Sequence, residues 1–271
     1  MSAVTKALAA ALLLGTLSVA VATPASARGA GCVAPPVAHR GDSSRAPENT
    51  IPAFRKALRA GAVRLEVDVR FTADDVPVAM HDATVRRTTD GSGRVADLRL
   101  GDVRSLDAGS WFAPQYAGVG VPTLFQVLRF GRSRGAWFLV ELKVRPTTQQ
   151  MHNFLNRLRW LGMLHRVKVT SFDAQTVLDV RAAQPGLDTA LIDARGFRPP
   201  QDVLRYGRTY LVHYWSVTRA RSDQWRAAGI DVRPWTVNRV AGWKRMAYDG
   251  AGPVITDRPK RYLSWARSFC S

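Results

Sequence analysis

The chain has 271 residues, with 39 Lys and Arg against 21 Asp and Glu, for a formal charge of +18. Such a field favours anionic substrates or surfaces. No basic stripe interleaved with aromatics and no DNA-binding motif accompanies it, so nucleic acid is not an expected partner. Beyond the N-terminal leader no apolar run is long enough to span a bilayer.

Residues 1–27 carry one early charge at Lys6, an apolar stretch over 7–22 and the small-residue site Ala25-Ser26-Ala27, the pattern of a secretory signal peptide. Cleavage near Ala27 and an extracellular mature chain of charge +17 are expected. A lipid anchor at Cys32 fits poorly, because Gly29 lies three residues before it. Cys32 and Cys270 sit at opposite ends of the mature chain, and export puts thiols where they oxidise. A disulfide joining them would close a loop worth at most about 4 to 5 kcal/mol by chain entropy.

In chain order, β-branched apolar runs predict strands at 33–38, 63–69, 137–142, 167–171, 188–192, 210–213, 231–236 and 254–256. Most are separated by stretches of helical period, such as Ile51, Phe54 and Leu58, or Phe154, Leu155, Leu158 and Leu161. Alternating strand and helix implies a parallel sheet. Eight such units over residues 28–271 suit one TIM-type (β/α)8 barrel. The run 76–80 follows the second strand after a short turn, too close for a parallel crossover, so it should fold back as a hairpin. Residues 83–121, rich in Gly, Asp and Arg, read as a small insertion over the barrel mouth. Pro122 then opens a helix. Asn49 or Thr50 is the expected N-cap of the first helix.

Chemistry-bearing side chains cluster where the strands end. Glu66 and Asp68, two apart on a strand, face one side while Val67 and Val69 face the other. Two buried like charges need a cation, and Glu141 at the end of another strand offers a third oxygen. An all-oxygen set suits Ca²⁺ or Mg²⁺. Ion pairs to Arg64 and Lys143 are the purely structural alternative. His39 and His81 follow strands and can move protons near neutrality. Arg40 and Lys143 can meet phosphate oxygens, and Glu48 can orient Arg40. Asn49 can reach the site in addition to capping. Trp235 can wall the pocket or stack on a cationic head group, and His213 can line the rim.

His39-Arg40-Gly41, Pro47-Glu48-Asn49-Thr50, Glu66-Val67-Asp68-Val69, His81-Asp82, Pro122-Thr123-Leu124, Glu141-Leu142-Lys143, Ser171-Phe172, Trp235-Thr236-Val237-Asn238 and Ile255-Thr256-Asp257-Arg258-Pro259 follow one another through the mature chain. In this order the series resembles the glycerophosphodiester phosphodiesterase family. The resemblance implies a divalent-cation-assisted barrel enzyme that hydrolyses small anionic glycerophosphodiesters to glycerol 3-phosphate and an alcohol. It implies Glu66, Asp68 and Glu141 as metal ligands, His39 and His81 as the acid/base pair, and Arg40 and Lys143 as phosphate contacts. The sequence departs from the family at Ala62-Val63-Arg64, where an acid is frequent, and at Asp75, where a turn glycine is usual. Rival readings are a secreted phospholipase D of the sphingomyelinase type, a teichoic-acid hydrolase, and a non-catalytic polyanion-binding module. The basic charge also suits an anionic membrane or cell-wall surface. Oligomeric state is not readable from the sequence.

Overall fold

The computed structural model describes residues 33–271. The leader, its cleavage site near Ala27 and Cys32 lie outside the described residues. Pro35 and Pro36 have no amide to donate, so the first predicted run forms only a two-residue strand, β1 (Val37–Ala38). The chain continues as α1 (Ile51–Arg59), β2 (Arg64–Phe71), β3 (Pro77–Ala79), α2 (Leu100–Ser105), α3 (Leu124–Arg132), β4 (Trp137–Leu142) and α4 (Thr148–Trp160). It then alternates through β5 (Val167–Ser171), α5 (Ala174–Ala183), β6 (Asp188–Asp193), α6 (Pro200–Leu204), β7 (Thr209–His213), α7 (Arg219–Ala227), β8 (Asp231–Trp235), α8 (Val240–Tyr248), β9 (Ile255–Thr256) and α9 (Pro259–Cys270).

The sheet order is β8-β7-β6-β5-β4-β2-β1-β9, parallel throughout, with β3 off this path. Between β8 and β9 no ladder forms, yet the Gly252 amide donates to Val232 O and the Val237 amide to Ile255 O, each at 2.9 Å. These two bonds bring the edges together, giving the nearly closed eight-stranded TIM barrel. All the strands therefore end at one mouth, where such barrels keep their chemistry.

The hairpin at β3 exists because β2 outruns its neighbour. β1 pairs with only Arg64 and Leu65, which leaves the far end of β2 open on that side. Val69, Arg70 and Phe71 there pair antiparallel with Ala79, Val78 and Pro77. The turn passes through Asp75 at φ 61°, a left-handed conformation that glycine adopts more readily. This explains why Asp75 stands out against the family pattern. The returning strand delivers His81 to the mouth.

Alternation along each strand divides the barrel into layers. Leu65, Val67 and Val69 point outward into the core shared with Phe54, Leu128 and Phe154 of the helices. Inward, Val37, Leu139, Ala190, Leu211 and Ile255 form an apolar plug. At the opposite end from the mouth, Arg64, Lys168, Asp188 and Arg233 line a separate cavity. Arg64 shares a face with Glu66 but belongs to this floor, so it forms no ion pair with the acids above.

One expected helix start holds in position without its capping bond, and another is corrected. Thr50 occupies the N-cap of α1, but its hydroxyl donates to Pro47 O at 2.6 Å rather than capping the helix. Pro122 lies before α3. Thr123 is the N-cap there, closing a capping box with Gln126. In the insertion, Val85, Val95, Val103 and Val121 pack with Val78 and Met80 into a satellite core. Tyr116 ties it to the β1–α1 loop, donating to Arg45 O at 2.6 Å. Among the described residues no helix is long and apolar enough to cross a membrane.

Gly207 has φ +138°, and a Cβ there would lie 2.0 Å from the backbone oxygen of Thr189. Gly207→Ala is expected to destabilise the barrel by roughly 1–3 kcal/mol, read as a lower denaturant midpoint, with activity of the folded fraction at 25 °C unchanged.

Candidate active site

Parallel pairing of β2 with β4 sets Asp68 beside Glu141, and Glu66 lies two residues back on the same face. All three carboxylates are buried, and one oxygen from each lies within 4.8 Å of the others. Such crowding disfavours the charged forms. Burial foremost, then the charge of Asp68, pushes Glu66 up to about 8. Burial and Asp68 likewise raise Glu141. For Asp68 burial acts the same way, but Arg40 and Lys143 overcome it and hold its carboxyl below the usual range.

The counterions come from strand ends and turns. Lys143, just past β4, lies 2.5 Å from Glu141 Oε1 and 3.5 Å from Asp68 Oδ1. Arg40, just past β1, places Nε 3.0 Å from Asp68 Oδ2. It adopts φ 57°, and its amide donates to Glu66 Oε2 at 2.8 Å. Gly41 follows at φ +87°, where a Cβ would meet the Ala53 backbone at 2.6 Å, so the turn that presents Arg40 needs glycine. Asn49, also left-handed at φ 58°, spends its amide on Asp68: Nδ2 donates to Oδ2 at 2.8 Å, and Oδ1 accepts from the Asp68 amide at 3.2 Å. It holds a site carboxylate instead of capping α1. Even so, Glu66 Oε1 and Asp68 Oδ1 remain buried without a hydrogen-bond partner. Orphaned buried oxygens are the atoms a cation would satisfy. The triad therefore fits a hard ion.

Both histidines are fixed through Nδ1, which leaves each Nε2 unengaged by its carboxylate. His39 Nδ1 lies 2.6 Å from Asp257 Oδ1, and His81 Nδ1 lies 2.6 Å from Asp82 Oδ1. Burial depresses His39, but the bond to Asp257 and the charge of Glu66 outweigh it and raise its pKa. At His81 burial prevails over Asp68, and the pKa falls. His39, Arg40, Glu66, His81, Glu141 and Lys143 line one cavity of about 120 Å³, walled on its apolar side by Phe172 and Trp235. These two rings meet edge to face at 5.4 Å. His213 packs edge-on against Trp235 at 5.2 Å, behind the wall.

Glu48 does orient Arg40, accepting from its Nη1 at 2.9 Å. A wider network was not anticipated from the residues alone. Arg87, from the insertion, donates to both Glu48 oxygens at 2.7 and 3.0 Å and to Asp82 at 2.6 Å. One guanidinium thus braces the carboxylate behind Arg40 and the carboxylate behind His81. Asp257 is held in turn by Asn238 and Ser43, at 2.5 and 3.1 Å. The position of Asp257 just after a strand was a usable signal. Nothing local distinguishes Arg87 from its neighbour Arg86.

The glycerophosphoryl diester phosphodiesterase family model matches residues 39–261. The glycerophosphodiester phosphodiesterase of Caldanaerobacter subterraneus subsp. tengcongensis is 32% identical over 239 residues, covering 85% of this chain and 97% of its own. One from Bacillus subtilis is 35% identical, over 92% of this chain and 93% of its own. Among solved structures, an Oleispira antarctica phosphodiesterase in complex with the product sn-glycerol-3-phosphate superposes with a TM-score of 0.79 at 25% identity, over 87% of this chain and 97% of that one.

Asp257→Asn removes the charge beside His39 and leaves only a neutral acceptor for its Nδ1, while the burial that lowers it stays, so the His39 pKa should fall in an imidazole NMR titration. The same change should cost part of the ~10²–10⁴ that acid–base catalysis supplies, read as lower kcat with little change in KM. Arg87→Met should also lower kcat, with Arg87→Lys intermediate. Parental kcat in Arg87→Met would show that the brace is dispensable.

Proposed function

The chain belongs to the glycerophosphoryl diester phosphodiesterase family and is a glycerophosphodiester phosphodiesterase, and on that premise we propose that it cleaves deacylated phospholipid diesters outside the cell to glycerol 3-phosphate and an alcohol. His39 and His81 move the protons, and Glu66, Asp68 and Glu141 hold Ca²⁺ or Mg²⁺. The observation that carries the metal reading is the buried triad with its two orphaned oxygens. Hard oxygen donors suit these ions. The relative solved with sn-glycerol-3-phosphate supports a glycerophosphate half as the recognised part of the substrate.

When bound, the ion would neutralise the acids and polarise a phosphate oxygen. Arg40 and Lys143 face the same cavity and meet the remaining negative oxygens of the phosphoryl group. One imidazole takes the proton of the attacking hydroxyl, either the glycerol 2-hydroxyl or water. As the new P–O bond forms and the old one breaks, the other imidazole hands a proton to the departing alkoxide. If the 2-hydroxyl attacks, a cyclic phosphate results, and water opens it with the histidine roles reversed. Phe172 and Trp235 leave an apolar side to the cavity for the leaving alcohol.

Export rests on the 1–27 leader, and the oxidised pairing of Cys32 with Cys270 follows from it. In support, the amide of Val33, the residue after Cys32, donates to Cys270 Sγ at 3.3 Å. An intact mass beginning near Arg28, with two hydrogens gained on reduction, is expected of secreted protein. A mass retaining the leader would reject export.

His39→Ala and His81→Ala are each expected to lower kcat by about 10²–10⁴, measured as glycerol 3-phosphate released from glycerophosphocholine. Chelation should abolish turnover, and added Ca²⁺ or Mg²⁺ should restore it. Glu66→Gln should weaken the response to added ion. Parental turnover in both histidine variants would overturn the assignment.

A further inference from the structure

Of the ten exposed large apolar side chains among the described residues, four lie on loops that follow strands and one on the insertion, while Val63, Trp137, Trp160, Leu204 and Tyr248 lie elsewhere. Val144 follows β4, Phe172 follows β5, Phe197 lies in the β6–α6 loop and Trp215 lies just past β7; Phe197 is 65% and Trp215 67% exposed. Trp111 adds a further exposed ring from the insertion. Phe172, Phe197 and Trp215 follow three successive strands, and exposed rings clustered in this way mark interaction sites. They are also continuous with the active site. Trp215 stacks obliquely on Tyr214 at 4.7 Å, Tyr214 on His213 at 4.8 Å, and His213 meets Trp235 of the cavity wall at 5.2 Å.

The same end of the barrel carries exposed arginines after strands β4, β6, β7, β8 and β9: Arg145, Arg195, Arg219, Arg239 and Arg258. Arg145 and Arg219 pair with Asp179 and Asp223. Arg195, Arg239 and Arg258 have no ion pair with any described acid. Arg221 lies over the Phe197 ring at 4.5 Å and Arg245 over Trp215 at 5.5 Å, so cation and ring present themselves together. Aromatic rings at head-group depth with arginines among them suit an anionic lipid interface. A hydrophilic polyanion would use the arginines but leave the rings in water.

We propose that the barrel mouth docks on an anionic lipid bilayer, with Phe197 and Trp215 inserted at the interface, the arginines on the head groups, and the catalytic cavity opening onto that surface. Docking deepens the phosphodiesterase reading, since glycerophosphodiesters arise where phospholipids are deacylated. It would hold the cavity where substrate is generated.

The other end of the barrel supplies the comparison, because Trp160 there is also 67% exposed. Vesicles of phosphatidylglycerol and phosphatidylcholine should sediment the full mature chain, and pure phosphatidylcholine vesicles should do so less well. The double variant Phe197→Ser/Trp215→Ser should bind roughly tenfold to a hundredfold more weakly. Its turnover of soluble glycerophosphocholine should be unchanged, which also reports that it folds. The double charge reversal Arg195→Glu/Arg239→Glu should weaken binding as well, and Trp160→Ser should not.

Parental binding by the ring variant would overturn the proposal, as would release by Trp160→Ser. Equal capture by soluble polyphosphate with the rings indifferent would overturn it in favour of a polyanion. Lipid binding that follows this pattern in a chain without diesterase activity would uphold docking and reject the function.

Discussion

The mutual repulsion of Glu66, Asp68 and Glu141 is the constraint around which the mouth is arranged. Burying one carboxylate without compensation is a penalty of several kcal/mol, and here three lie within 4.8 Å. Each surrounding feature answers part of that problem. Arg40 and Lys143 reach in as cations, Asn49 lends both ends of its amide, and the Arg40 amide donates to Glu66. The left-handed backbone at Arg40 and Asn49, a conformation that normally stores ~1–3 kcal/mol each, is sustained because it aims these donors. The two oxygens still without a hydrogen-bond partner are where a cation could complete the balance.

Placing that much charge inside a barrel requires insulation below it. Val37, Leu139, Ala190, Leu211 and Ile255 separate the acids from the charged floor at Arg64, Lys168, Asp188 and Arg233. The histidines are coupled to the same arrangement from outside: Asp257 and Asp82 hold their Nδ1 atoms, and Arg87 ties Asp82 to the Glu48 that holds Arg40. The insertion is consequently part of the frame that holds the site together, because it supplies Arg87.

The strands were readable because each is a β-branched run flanked by helical periodicity, and the acids were readable because an i, i+2 spacing on a strand has only one geometric meaning. β1 came out shorter than its apolar run, since Pro35 and Pro36 break the ladder in a way that hydropathy does not register. Asn49 looked like a cap because helix starts prefer that residue type. It is instead drawn to Asp68, a residue of β2 that becomes its neighbour only when the barrel forms.

Sequence by itself determined the eight-fold alternation, the hairpin after β2, and which side chains could serve as ligands, proton carriers and anion contacts, because these follow from spacing along the chain. Tertiary structure decided which charges meet. It sent Arg64 to the floor, gave His39 to Asp257, and let Arg87 bridge Glu48 and Asp82, because partners 39 and 218 residues apart are set by how strand ends converge. Coulombic neighbours are a property of distance in space, and no local pattern encodes them.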